Sequence, residues 1–172
     1  QEVADKLKTN RRFLTDEEYG VALDNLVITC VDIVLTRVGE ILVGLRTNEP
    51  WKDGWMLIGG RMDAGESFGD TAKRHVKKNT GLILDSDRFK YIRTDSYLWS
   101  SRQQSPAGHG CHMVGITMSV SCLTDKECSL INPGDDVSQL KWLNCDDVAF
   151  EKRIHPAHRA AIEDFLNGRF DH

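Results

Sequence analysis

The stretch 59–82, GGRMDAGESFGDTAKRHVKKNTGL, runs a glycine-rich loop into a charged helix and stops at Gly81. Its residue types suit displacement at a diphosphate. As a diphosphate leaves, negative charge grows on its oxygens, and a divalent cation or a cluster of arginines must neutralise it. Gly60, with no side chain in the way, can turn a backbone carbonyl towards a hard cation such as Mg²⁺ or Mn²⁺, and Glu66 offers a carboxylate from the same segment. Fixed cations can take over that electrostatic role: Arg46, Arg61, Arg74 and Lys78 could hold the diphosphate directly. His75, next to Arg74, is a candidate base, although a half-exposed helix histidine without such a role is commoner.

Asp32 stands in the otherwise apolar run VITCVDIVL (27–35). A carboxylate there must be paired or face a cleft, and a ligand-facing role beside Arg46 or Arg61 is expected. Glu66, Asp70 and Arg74 follow one another by one helical turn, as a functional row or as ion pairs on a wet face. His109 and His112 in HGCH have zinc-like spacing, but read more simply as a loop end and strand entry. Trp51 and Trp55 could stack on a base or pack in the core. Lys73 and Lys77 are most simply solvated helix charges.

These residues need elements to position them. Residues 1–13 form an arm or short helix ahead of a single domain, 14–172. Thr15 reads as an N-cap, with Glu18 completing a capping box, for a helix through about Leu26. The apolar runs 27–36 and 41–46, joined at Val38-Gly39-Glu40, read as a hairpin, and 55–58 as a short strand entering Gly59-Gly60. Phe68, Ala72, Val76 and Thr80 recur at helical spacing within 66–80, and Gly81 ends that helix as a C′ residue. Strands follow at 89–98, 111–123 and 140–143, separated by loops 100–110 and 124–138. A helix over 155–167 carries Pro156 at N1. Strands interleaved with a few helices place the chain in the α/β class, a mixed sheet covered by helices.

Composition narrows the function. At 172 residues with 40% hydrophobic content, one domain with a real core is expected. The 26 acidic and 22 basic residues give a net charge of −4, with no basic block to follow a nucleic-acid backbone. No apolar run approaches the roughly 20 residues that span a bilayer, and the polar N-terminus does not read as a signal peptide, so no membrane association and a cytoplasmic location are expected. Gln1 in place of a starting Met points to a trimmed N-terminus. Five cysteines without Cys-x-x-Cys spacing read as buried reduced thiols.

Gly60, Glu66, Arg74, Val76, Gly81 and Leu82 all keep the register G-x5-E-x7-R-E-U-x-E-E-x-G-U, with U aliphatic, and the stretch resembles the Nudix box. The wider chain is similar to the GDP-mannose mannosyl hydrolase branch through LTDEEYGVAL, VDIVLT with Asp32, GLRTNEP with Arg46 and IGGR with Arg61, and through KWL (141–143) and RIHPAHRAA (153–161). This resemblance implies a Nudix-type α/β/α sandwich with a central mixed sheet. It also implies a nucleoside diphosphate linked to another group, a nucleotide sugar in that branch, as substrate. Mg²⁺ or Mn²⁺ would be the cofactor, and displacement in that branch occurs at the sugar's anomeric carbon. A homodimer stays open as the assembly.

The sequence departs from the box where the family places its base and metal ligands, for these positions hold His75, Lys78 and Asn79. An amide is a weak Mg²⁺ ligand beside a carboxylate, and an ammonium repels the cation. Aligning on KWL sets Asp136 and Val137 where the branch has a metal ligand and its general base, leaving Asp136 to join Gly60 and Glu66 at a metal. Three readings stay open. In a divergent enzyme, Glu66, Asp70, Asp135 or Asp136 rebuilds a metal site with His75, His109 or His112 as base. In a metal-free arrangement, Arg46, Arg61, Arg74 and Lys78 hold the diphosphate. In a pseudoenzyme, a nucleotide-like ligand or a protein partner binds without turnover.

Overall fold

The computed structural model describes residues 12–120, 122–134 and 137–169, so the expected arm falls almost wholly outside it. Thr15 caps helix α1 (Asp16–Asn25) as expected: its hydroxyl oxygen accepts from the Glu18 N–H at 3.2 Å, and Glu18 accepts from the Thr15 N–H at 2.9 Å. Strands β1 (Ile28–Val34), β2 (Thr36–Arg37), β3 (Glu40–Arg46), β4 (Trp55–Met56) and β5 (Ile58–Arg61) lead into helix α2 (Phe68–Thr80). Strands β6 (Phe89–Trp99) and β7 (Cys111–Val120), helix α3 (Asp125–Ser129), strand β8 (Val137–Asn144) and helix α4 (Pro156–Leu166) complete the chain.

A mixed sheet runs in the order β5-β1-β7-β6, with β1 parallel to β7 and the other pairs antiparallel. In a second, antiparallel sheet β3 pairs with β2, β4 and β8. Side chains alternate across β1, so the strand serves two cores. Val31, Ile33 and Leu35 join Ala72 and Val76 of α2, while Val34 joins Ile162 of α4 on the opposite face. The layering is the α/β/α sandwich that the resemblance implies.

The expected hairpin between 27–36 and 41–46 forms only at its tip. Both edges of β1 are taken by β5 and β7, which leaves β3 none. The chain therefore changes sheet at Leu35, and β2 alone turns into β3 through Gly39, whose φ of 72° lies in the left-handed region. Helix α2 begins later than 66, because Ser67 and Asp70 form its capping box, which puts Glu66 on the preceding loop and gives Asp70 a capping role. Helix α3 interrupts the expected loop 124–138, capped by Thr124 and Glu127, and β8 starts at Val137. All five cysteines are free, Cys122 being exposed against expectation. Among the described residues, no helix is long and apolar enough to cross a membrane.

Candidate functional site

Strand β5, the loop after it and α2 form one side of a cleft of about 790 Å³, with α1 and the loops after β3 and β6 opposite. Gly60, Arg46, Arg61, Arg74, His75 and Lys78 all line it. The strand–loop–helix spacing read from the sequence thus converges on one surface. Glu66 and Asp32 do not line the cleft, and Asp136, expected at a metal, lies outside the described residues.

Glu66 is locked from several sides. Arg74 donates from Nε at 2.6 Å to Oε1 and from Nη2 at 2.7 Å to Oε2, while the Thr71 hydroxyl (2.8 Å) and the Asp63 N–H (3.1 Å) also donate to Oε2. The Arg74 guanidinium, first among these, holds the carboxyl pKa down at about 2. Arg74 also donates to the Arg61 carbonyl at 3.0 Å and meets Asp63 at 3.2 Å. This group ties loop 62–67 to α2 and leaves Glu66 with little to offer a cation.

His75 is only 6% exposed. Its Nε2 lies 2.9 Å from the Arg61 carbonyl, an acceptor only, so Nε2 carries the proton and Nδ1 the lone pair. The Arg74 Nη1 at 3.3 Å from Nε2 is then a crowded donor and makes no bond there. Burial pushes the imidazole pKa down, and Nδ1 is buried with no hydrogen-bond partner among the described residues. The ring packs closely against the strand: a Cβ on Gly60 would fall 2.5 Å from His75 Cε1. Gly60 serves at least this steric purpose.

Asn79, in the place of a metal-binding glutamate, is 2% exposed and does not line the cleft. Its Nδ2 donates to the His75 carbonyl at 3.1 Å, closing a turn of α2. Among the described residues no three His, Cys, Asp or Glu side chains gather to hold a metal. Among the described residues a divalent cation finds no ligand set that fits it: Glu66 and Asp63 are spent on Arg74, and Asn79 is turned inward. His109 meets Asp24 and His112 meets Ser96, so the HGCH histidines face different partners.

Two contributors to the cleft had no local signal. Tyr19 of α1 lies under the Arg61 guanidinium, 4.4 Å from ring centroid to Cζ. Arg102, with a side chain 1% exposed, donates to Asp24 at 2.7 Å and to the Gly110 carbonyl at 3.0 Å, pinning loop 100–110 to α1. Tyr19 lies within LTDEEYGVAL, but nothing in that stretch ties it to Arg61, and an arginine in a polar loop carries no motif.

Asp32 is paired, on the face of β1 away from α2. His158 of α4 accepts from the Leu57 N–H through Nδ1 at 3.1 Å, so its Nε2–H donates to Asp32 Oδ2 at 3.3 Å. The Tyr97 hydroxyl, its pKa pushed up by burial, adds a donor at 3.5 Å. Asp32 also backs the cleft strand, for a Cβ on Gly59 would fall 2.4 Å from its Oδ1. Nearby, Trp51 meets His155 edge-on, with ring centroids 4.8 Å apart, and donates through Nε1 to the Arg153 carbonyl at 3.1 Å. With Trp99, these residues border a shallower hollow of about 530 Å³.

Known proteins share this architecture. A MutT/nudix family protein from Enterococcus faecalis superposes with a TM-score of 0.65 at 18% identity, covering 84% of this chain and 62% of that one. The NUDIX domain of Shewanella oneidensis NrtR, solved with ADP ribose, gives 0.64 at 20% identity over 90% of this chain and 99% of that one. In sequence, the chain is 25% identical over 139 residues to an ADP-ribose pyrophosphatase from Methanocaldococcus jannaschii, covering 79% of this chain and 71% of the relative. It is 30% identical over 79 residues to the low-salt glycan biosynthesis protein Agl8 of Haloferax volcanii, spanning 46% of this chain and 49% of Agl8. The NUDIX domain profile matches residues 27–165, well over half of the chain, and the protein belongs to the Nudix family.

Proposed function

We propose that the cleft recognises a nucleoside diphosphate linked to a second group, of the nucleotide-sugar or ADP-ribose kind, and that recognition rather than rapid hydrolysis is what this chain retains. The charge of the cleft carries this reading. Arg46, Arg61, Arg74, Lys77, Lys78 and Arg102 line it, against Glu49 and Asp63 as the lining carboxylates among the described residues. Arg74 and Arg102 are paired with Glu66 and Asp24, so the excess of positive charge rests chiefly on Arg61 and Lys77, in a chain of net charge −4. A concave surface with an excess of one sign focuses its field and draws in an anionic ligand. The names of similar proteins support the same class, one being an ADP-ribose pyrophosphatase and another a domain solved with ADP ribose. Asp32 in this reading positions β5 from beneath and does not touch the ligand.

Hydrolysis is the second reading, and the His75 tautomer favours it: an unprotonated Nδ1 is the atom that a base requires. Against it, that nitrogen is buried, and Glu66 is occupied by Arg74. Incubating the chain with ADP-ribose, GDP-mannose and related compounds, with chromatographic analysis and parallel calorimetry, separates the two. The expected result is binding of at least one compound with no product above the protein-free control. Rapid formation of AMP with ribose 5-phosphate, or of GDP with mannose, abolished in His75→Gln, would establish the hydrolase, and absence of binding throughout would remove both readings.

A further inference from the structure

We propose that the cleft holds its diphosphate without a divalent metal, by direct contact with Arg61, whose guanidinium is set in place by Tyr19. The inference rests on the nucleotide-binding reading above and adds how the ligand's charge is met. The carboxylates near the box face inward to the protein's own cation: Glu66 gives both oxygens to Arg74, and Asp63 meets the same guanidinium at 3.2 Å. Of the box positions that hold glutamates in the family, one is Lys78 on the cleft wall and one is the buried Asn79.

Arg61 differs from its neighbours in the cleft. Arg74 and Arg102 are neutralised by Glu66 and Asp24, whereas Arg61 meets no carboxylate within ion-pair distance among the described residues. One face of its guanidinium lies on the Tyr19 ring at 4.4 Å. Stacking restricts the rotamers of a long side chain yet leaves the edge of the planar fork to donate two parallel hydrogen bonds, the geometry a phosphate accepts. Tyr19 is therefore a positioning residue. Lys77, in the last turn of α2 and lining the same cleft, adds positive charge that would oppose a metal ion and attract the diphosphate.

Calorimetry of the whole chain with inorganic pyrophosphate and with ADP-ribose, in EDTA and again in excess Mg²⁺ or Mn²⁺, tests this. Binding is expected in EDTA, no weaker than with metal, and declining as salt is raised. Arg61→Gln should weaken pyrophosphate binding about tenfold, the equivalent of one good charge-assisted contact. Tyr19→Leu should weaken it several-fold, while Tyr19→Phe, which keeps the ring, should restore the wild-type value. Binding seen only with Mg²⁺ or Mn²⁺ would overturn the metal-free site while leaving nucleotide recognition standing. Unchanged affinity in Arg61→Gln would overturn the anchor. No binding of either compound under any condition would remove this inference together with the reading beneath it.

Discussion

At the scale of single residues, Glu66 behaves as a structural clasp. Arg74, Thr71 and the Asp63 N–H all converge on it, and removing its charge leaves a partly buried guanidinium without its main acceptor. Glu66→Gln should lower stability by about 1–3 kcal/mol, read as a shift in urea midpoint at constant slope. Its folded pKa of about 2 lies below the ordinary 4.5, so the contribution is complete above pH 4.5 and is lost as pH falls towards 2. Asp32 invites a parallel test. Asp32→Ala strands the buried Nε2–H of His158 and should cost about 1–3 kcal/mol, whereas Asp32→Asn keeps an acceptor oxygen and should cost less. Affinity for ADP-ribose, measured on variants that remain folded, should change little. A large loss of affinity with stability intact would return Asp32 to the ligand-facing role expected from its place in an apolar strand.

At the scale of elements, α2 depends on a segment that is distant in sequence. The Asn132 N–H donates to the Thr80 carbonyl and the Gly134 N–H to the Asn79 carbonyl, each at 3.0 Å, satisfying acceptors that the helix end leaves open. A Cβ on Gly134 would fall 1.9 Å from the Lys78 carbonyl oxygen, so no side chain fits without moving the backbone. Gly134→Ala should therefore destabilise the fold by about 2 kcal/mol and speed hydrogen exchange at the amides of 132 and 134. Local chemistry of this kind was legible in part. The Thr15–Glu18 box, the helical spacing of Ala72 and Val76, and the Gly81 stop were read directly, and the last two set Arg74, His75 and Lys78 along one helix that lines the cleft. The same capping signature at Thr124 and Glu127 passed unread within a polar stretch. Sheet partition was not legible, because the partners that saturate the edges of β1 lie far along the chain and nothing local encodes their choice. The Asp24–Arg102 pair and the stacking of Tyr19 on Arg61 were hidden for the same reason: each joins segments brought together only by the finished fold.

At the scale of the molecule, acidification should weaken the fold through histidines that burial keeps neutral. Burial lowers the pKa of His155 to about 4, and burial likewise lowers that of His75. Below the ordinary histidine value of 6.5 the unfolded chain takes up protons at these positions that the folded chain refuses, so stability falls with pH over the range from 6.5 towards 4. This window lies above that of Glu66, which opens only below 4.5. His155 is packed among Trp51, Tyr97 and Trp99, and its Nδ1 makes no hydrogen bond among the described residues. A phenyl ring can occupy that place without titrating, although it gives up whatever the imidazole does at Nε2. The midpoint of thermal unfolding, followed by circular dichroism, should therefore drop between pH 7 and pH 5 in the wild type and drop less in His155→Phe. Guanidinium groups and the two linked phosphates of ADP-ribose carry their charge throughout this range, so ADP-ribose affinity per folded molecule should change far less than stability does. An equal fall in melting midpoint for the wild type and His155→Phe would show that the aromatic cluster around α4 is not where acid acts on this fold.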